Sequence, residues 1–216
     1  CCAFLYHVPL REGGCGGACG GECTGACSTG ETVAKKECPI TAAMKNLPQT
    51  TYLVGEKKTC CPDSAATLAE KSGDAVLFIV AGKEYACKDK AHLALVEATE
   101  SFVTTFAEPK VCEKTGTCTV AGKKACCPNV AAITSKKLKS AMDEVKISYV
   151  VGDKACGCPN MAKKLAEDSG KSTEFVVAGE KTCCNVTARL NLARAKYRAA
   201  VEVLVADATE SAADDS

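Results

Sequence analysis

The sequence predicts an α+β fold of tandem β-hairpin-plus-helix repeat units, cross-linked by metal or cluster sites or by disulfides. The first observation is a pattern that occurs twice within Tyr149 to Cys184: a β-branched run, a Gly turn, and cysteines just before a helix begins. The second is that a shift of about 97 residues lays Tyr52 to Cys87 on that stretch with roughly half the positions identical, the mark of an internal repeat. Gly55 falls on Gly152, Cys61 on Cys158, Pro62 on Pro159, Gly73 on Gly170 and Cys87 on Cys184. The third is composition. The chain has 216 residues with eighteen cysteines and no Trp. That cysteine density, around the 8% level at which scaffolds are recognised, points to disulfides or to metal and cluster ligation. With few aromatics, each unit buries little alone and leans on neighbours or cross-links.

Residues 1–31 read as a Cys/Gly-rich N-terminal segment. A chain that begins at Cys1 resembles a mature bacterial lipoprotein, whose first residue carries the lipid. That resemblance implies an extracytoplasmic location, periplasm or cell surface, with membrane contact through a lipidated Cys1. His7 has no partner at ligand spacing and reads as a solvated or packed side chain. Cys15, Cys19, Cys23 and Cys27 recur at every fourth position, and five glycines fall in CGGACGGECTGAC. Each glycine costs a helix about 1 kcal/mol, so the stretch is expected to be a loop wrapping a metal or an iron–sulfur cluster. The plainer alternative is a tether whose thiols pair as disulfides.

Residues 32–110 form the first repeat module. A worn copy, Thr32 to Leu47, opens it with a short helix after Cys38-Pro39 that Pro48 closes. Tyr52 to Val54 and Lys58 to Cys60 read as strands around Gly55, followed by a helix from Pro62 to about Lys71 that Gly73 ends. A second hairpin, Val76 to Val80 and Tyr85 to Cys87, turns at Ala81-Gly82 and leads to a helix over about Lys90 to Phe106. Residues 111–147 are a middle hairpin-helix unit. Residues 148–208 are the second repeat module, with a final helix from Val186 to about Ala206. Residues 209–216 read as an acidic, frayed tail. The stripes Leu95, Phe102, Phe106 and Leu190, Ala193, Tyr197, Val201, Leu204 are core, and Arg189, Arg194, Lys196 and Arg198 a solvated face.

The chemistry gathers where hairpins become helices. Pro62, Pro128 and Pro159 occupy the first helical position, where a missing amide hydrogen is harmless. Cys61, Cys127 and Cys158 are thereby placed at or beside the N-cap, where free amides and the helix dipole favour thiolate. Thiolate is the form that binds metal and attacks disulfides. Counted by unit, Cys156, Cys158, Cys183 and Cys184 make one set of four, and Cys112, Cys118, Cys126 and Cys127 another. Four thiolates close a tetrahedral zinc site or hold a cluster. The first module supplies Cys60, Cys61 and Cys87, with His92, Cys38 or an outside group as fourth ligand. Adjacent cysteines seldom bond to each other, so each CC pair is expected to look outward.

The segments SYVVGDKACGCPNMAKKL, LFIVAGKEYACKDKAHLAL and EFVVAGEKTCCNVTARLNL resemble the YHS/TRASH group of small metal-binding modules, in which a β-hairpin runs into a helix. The resemblance implies heavy-metal binding in sensing, trafficking or resistance, through Cys87, Cys158, Cys183 and Cys184. The family's cysteine before the hairpin and its C-x3-C after it are absent here.

Other classes find little footing. The net charge is +1 with no basic stripe interleaved with aromatics, so nucleic acid is not an expected partner. No HExxH, phosphate loop, CxxC or Ser/His/Asp set is present, and a non-enzyme is expected. The leading expectation is soft-metal storage, sequestration or delivery, with zinc or Cu(I) bound by thiolates. The alternatives are a multi-cluster iron–sulfur electron-transfer protein and a disulfide-stapled structural protein, either working with a partner in an envelope or electron-transfer complex.

Overall fold

Short β-branched runs broken by Gly fold back on themselves, and each hairpin is answered by a helix. In the computed structural model, residues 38–213 are described. Cys1, His7, Cys15, Cys19, Cys23 and Cys27 lie outside the described residues. Helix α1 (Pro39–Met44) is followed by β1 (Thr50–Val54), β2 (Lys57–Thr59), α2 (Pro62–Ser72), β3 (Val76–Val80), β4 (Lys83–Tyr85) and α3 (Lys88–Phe106). A middle group comprises β5 (Lys110–Val111), β6 (Cys118–Val120), β7 (Lys123–Ala125) and α4 (Pro128–Glu144). The last group is β8 (Ser148–Val151), β9 (Lys154–Cys156), α5 (Pro159–Ser169), β10 (Thr173–Val177), β11 (Glu180–Thr182) and α6 (Asn185–Ala213). The fold is α+β with antiparallel sheets.

Two sheets have four strands each, in the orders β2-β1-β3-β4 and β11-β10-β8-β9. In both, two hairpins join through their first strands, and the outer strands are the returning ones. Register sets Tyr52 opposite Phe78 and Tyr149 opposite Phe175. The two ring pairs meet edge to face at 5.7 Å, at 64° and 61°. Such cross-strand aromatic pairs are the contacts that hold antiparallel partners in register. The middle sheet has three strands in the order β5-β6-β7.

Turn chemistry explains the hairpins. Ala81-Gly82, Ala121-Gly122 and Ala178-Gly179 all have positive φ at both central positions, the requirement of a two-residue type I′ turn. Those turns set the register, so the second strands start earlier than the sequence predicts: β4 spans Lys83–Tyr85 rather than Tyr85 to Cys87. The cysteines then fall in the short link to the helix. Helix α3 starts at Lys88, two residues before the predicted start, because Cys87 itself is the N-cap. Gly73 and Gly170 end α2 and α5 with φ of 76° and 65°, as a left-handed C-cap requires.

Helix α6 is the hub. Its 29 residues, about 44 Å at 1.5 Å per residue, pack on α1, α3, α4 and the last sheet. Tyr197, Leu138, Ala200, Val103 and Cys118 share one core cluster; Val80, Ala91, Leu95, Val96 and Leu190 share another. The Tyr197 ring meets Phe102 at 5.4 Å and Phe106 at 4.8 Å, and its hydroxyl donates to the Ala43 carbonyl at 3.2 Å. The helix continues past the predicted end near Ala206 to Ala213. No Gly or Pro interrupts it, and Ala and Glu in residues 209–213 favour the helical state.

Candidate thiol sites at the hairpin to helix junctions

The backbone leaves each helix with its first amides unpaired, and here cysteine sits where Ser, Thr, Asp or Asn would usually cap them. Cys38, Cys61, Cys87, Cys127 and Cys158 are the N-caps of α1, α2, α3, α4 and α5. The Cys184 carbonyl accepts the first helical bond of α6 from the Ala188 amide at 2.9 Å. Pro follows the N-cap at Pro39, Pro62, Pro128 and Pro159. The junctions therefore stand as the sequence predicts, with Cys38, Cys87 and Cys184 in the same role.

The electrostatic effect recurs at one spacing. The Ser64 amide and hydroxyl, then the Asp63 amide, hold the Cys61 thiol below its usual pKa. The Val130 amide does the same for Cys127, and the Thr187 amide and hydroxyl for Cys184. At Cys38 the amides of Thr41 and Ile40 act together. In each case the leading donor lies three residues on, the position that an N-cap side chain reaches. None of the helices α1 to α5 closes a strict side-chain cap hydrogen bond, so the sulfurs there sit in the field of the amides rather than on one donor. Cys112 belongs to a tight turn, where the Thr115 hydroxyl and the amides of Thr115 and Lys114 lower its pKa. The effect on Cys184 is opposed by burial and by the Asp89 carboxylate at the start of α3.

Among the described residues the free thiols are Cys38, Cys61, Cys87, Cys112, Cys118, Cys126, Cys127, Cys156, Cys158, Cys183 and Cys184. Cys60, expected as a metal ligand, is disulfide-bonded. Most of the free thiols are exposed or half-buried, but Cys118 is only 4% exposed and belongs to the core cluster. Strand alternation is the reason: Cys118 and Val120 point inward from β6 while Thr119 does not. Cys112 and Cys126 flank that strand on the exposed side, so the middle set is neighbouring in backbone and divided in sulfur. The Cys156 thiol donates to the Cys158 carbonyl at 3.8 Å, a contact within one junction.

Sheet order separates the other predicted sets. Cys156 ends β9 and Cys183 follows β11, and these are the two edges of one sheet. Three strand spacings, about 14 Å, lie between them, and the two strands leave the sheet at opposite ends. Cys156 with Cys158 therefore stands diagonally across from Cys183 with Cys184. The same order places Cys60 and Cys61 diagonally from Cys87. Among the described residues, no three His, Cys, Asp or Glu side chains converge to hold a metal ion.

What the structure packs together instead are two helices from different groups. Helices α3 and α6 run in the same direction: Ala91 and Leu95 pack with Val186 and Leu190, and Phe102 and Phe106 with Tyr197. Glu100 accepts from Arg189 Nε at 3.1 Å and from Nη2 at 2.7 Å, tying the pair together. The N-caps Cys87 and Cys184 begin these two helices. The Asp89 charge acting on Cys184 and the packing of α3 on α6 carried no signal in the sequence beyond the similar patterns of the two stretches.

No known protein family, curated protein or solved structure matches the chain. No helix among the described residues is long and apolar enough to cross a membrane.

Proposed function

We propose that the chain binds soft metal ions through thiolates presented at the starts of its helices, in storage, sequestration or delivery of Cu(I) or zinc. The observation that carries this reading is the repeated junction. At Cys38, Cys61, Cys127 and Cys184, the amide three residues on lowers the pKa of an accessible sulfur. Lowered thiol pKa and access are what thiolate ligation requires. Copies of one hairpin-plus-helix unit would multiply such sites. The spacing of about 97 residues, the shared strand order and the equivalent Tyr52–Phe78 and Tyr149–Phe175 pairs support that origin.

A second reading, a disulfide-stapled structural protein, is favoured by the disulfide at Cys60. The two separate by counting thiols in the denatured, unreduced protein and measuring its bound metal. The metal-binding reading predicts many titratable sulfhydryls and metal released on alkylation. Almost no free sulfhydryl and no metal would overturn it.

A further inference from the structure

We infer that Cys87 and Cys184 together form a two-thiolate site for a soft monovalent cation, Cu(I) or Ag(I), between the first and last hairpin groups. The inference rests on the thiolate-binding reading and names the ligands and ion class of one site. Sheet order denies the first and last groups the joint use of their own sulfurs, because the paired junctions lie at opposite corners. Packing supplies a different partner. Helices α3 and α6 are parallel: Ala91 and Leu95 share a core cluster with Leu190, and Phe102 and Phe106 meet Tyr197, so residues that face each other are about 91–99 positions apart in sequence. The offset of about 97 residues between Cys87 and Cys184 lies within that range, which brings the two N-caps to the same end of the helix pair. Asp89, two residues after Cys87, is near enough for its charge to act on Cys184.

Packed helices stand about 8–10 Å axis to axis, a gap that two cysteine side chains and one bridging ion span. Both thiols are free and exposed, so their rotamers can turn toward each other. The donor count selects the ion. Zinc asks for four ligands in a tetrahedron, whereas Cu(I) and Ag(I) accept two thiolates in a line, and among the described residues no group of three metal-ligating side chains converges. Two thiolates and one monovalent cation leave a net negative charge, which the two helix N-termini favour and the Asp89 carboxylate opposes. On binding, two S–H bonds lose their protons to solvent, two sulfur–metal bonds form, and no atom changes oxidation state.

The test uses the full chain, reduced and anaerobic, titrated with Cu(I) against a chromophoric competitor, alongside Cys87→Ser, Cys184→Ser, the double variant and Cys126→Ser. One equivalent lost in each of the first two, and no further equivalent lost in the double variant, is expected, with Cys126→Ser differing from both in additivity. Single variants that keep the full stoichiometry, while the wild type binds Cu(I), would remove this site and leave the broader reading standing. A wild type that binds no Cu(I) would overturn both. A short thiol cross-linker on the metal-free protein gives an independent check, read by peptide mass. A Cys87–Cys184 adduct that Cu(I) suppresses is expected, and absence of that adduct contradicts the juxtaposition.

Discussion

Replacing Tyr197 by alanine removes the side chain on which three helices meet. The ring is 1% exposed, lies edge-on to Phe102 and Phe106, and its hydroxyl reaches the Ala43 carbonyl of α1. Large-to-small changes at such aromatic positions cost about 3–5 kcal/mol, and two lost ring contacts put this one near 4 kcal/mol. Tyr197→Phe keeps the ring and loses only the hydroxyl. Because the Ala43 carbonyl also accepts the Asn46 amide at 2.9 Å, that variant should cost about 0.5 kcal/mol. Urea unfolding followed by far-ultraviolet circular dichroism, with a shared slope, measures both. The alanine variant should also lose about 8–16 °C in Tm, at roughly 2–4 °C per kcal/mol for a chain of this size. A loss below about 1 kcal/mol for Tyr197→Ala, or equal losses for the two variants, would refute α6 as the hub.

Alkylation of Cys61 and Cys184 should reach half its maximal rate at a lower pH in the folded protein than in denaturant. Their folded pKa is depressed, so the linked stability is present above the unfolded value and is lost as pH falls through the folded one. Identical pH profiles in the two states would contradict the role of the first-turn amides. Gly179→Val places a β-branched residue at φ of 87° in the turn before Cys183 and Cys184. It should destabilise by about 2 kcal/mol and alter labelling at Cys183, whereas unchanged stability would argue against a type I′ turn there. Cys118→Ser buries a hydroxyl in the core cluster and should cost about 1–3 kcal/mol in unfolding experiments without removing a metal equivalent. Loss of an equivalent would make Cys118 a ligand.

Local structure was legible where one residue type decides it. Proline at the first helical position, cysteine before it and Gly73 or Gly170 at the end mark α2 and α5 from sequence, and Ala-Gly marks three hairpin turns. The grouping of the sulfurs was not legible, because it depends on strand order. Sequence proximity gathers Cys156, Cys158, Cys183 and Cys184 into a four, but hairpins that join through their first strands send the following cysteines to opposite corners. Cys118 needed the side of the strand it occupies, and a three-residue strand gives alternation too little length to reveal it. Strand β5 has only two residues, Lys110 and Val111, and carries no periodic signal at all. The packing of α3 on α6 is a tertiary choice that the similar patterns of the two stretches permit without dictating.

The most direct test of thiolate metal binding is elemental analysis of anaerobically purified protein, together with its thiol count before and after metal removal. Copper or zinc bound in stoichiometric amounts, released when the thiols are alkylated, is the predicted result. Metal-free protein whose cysteines are already paired would contradict it and leave the chain a disulfide scaffold.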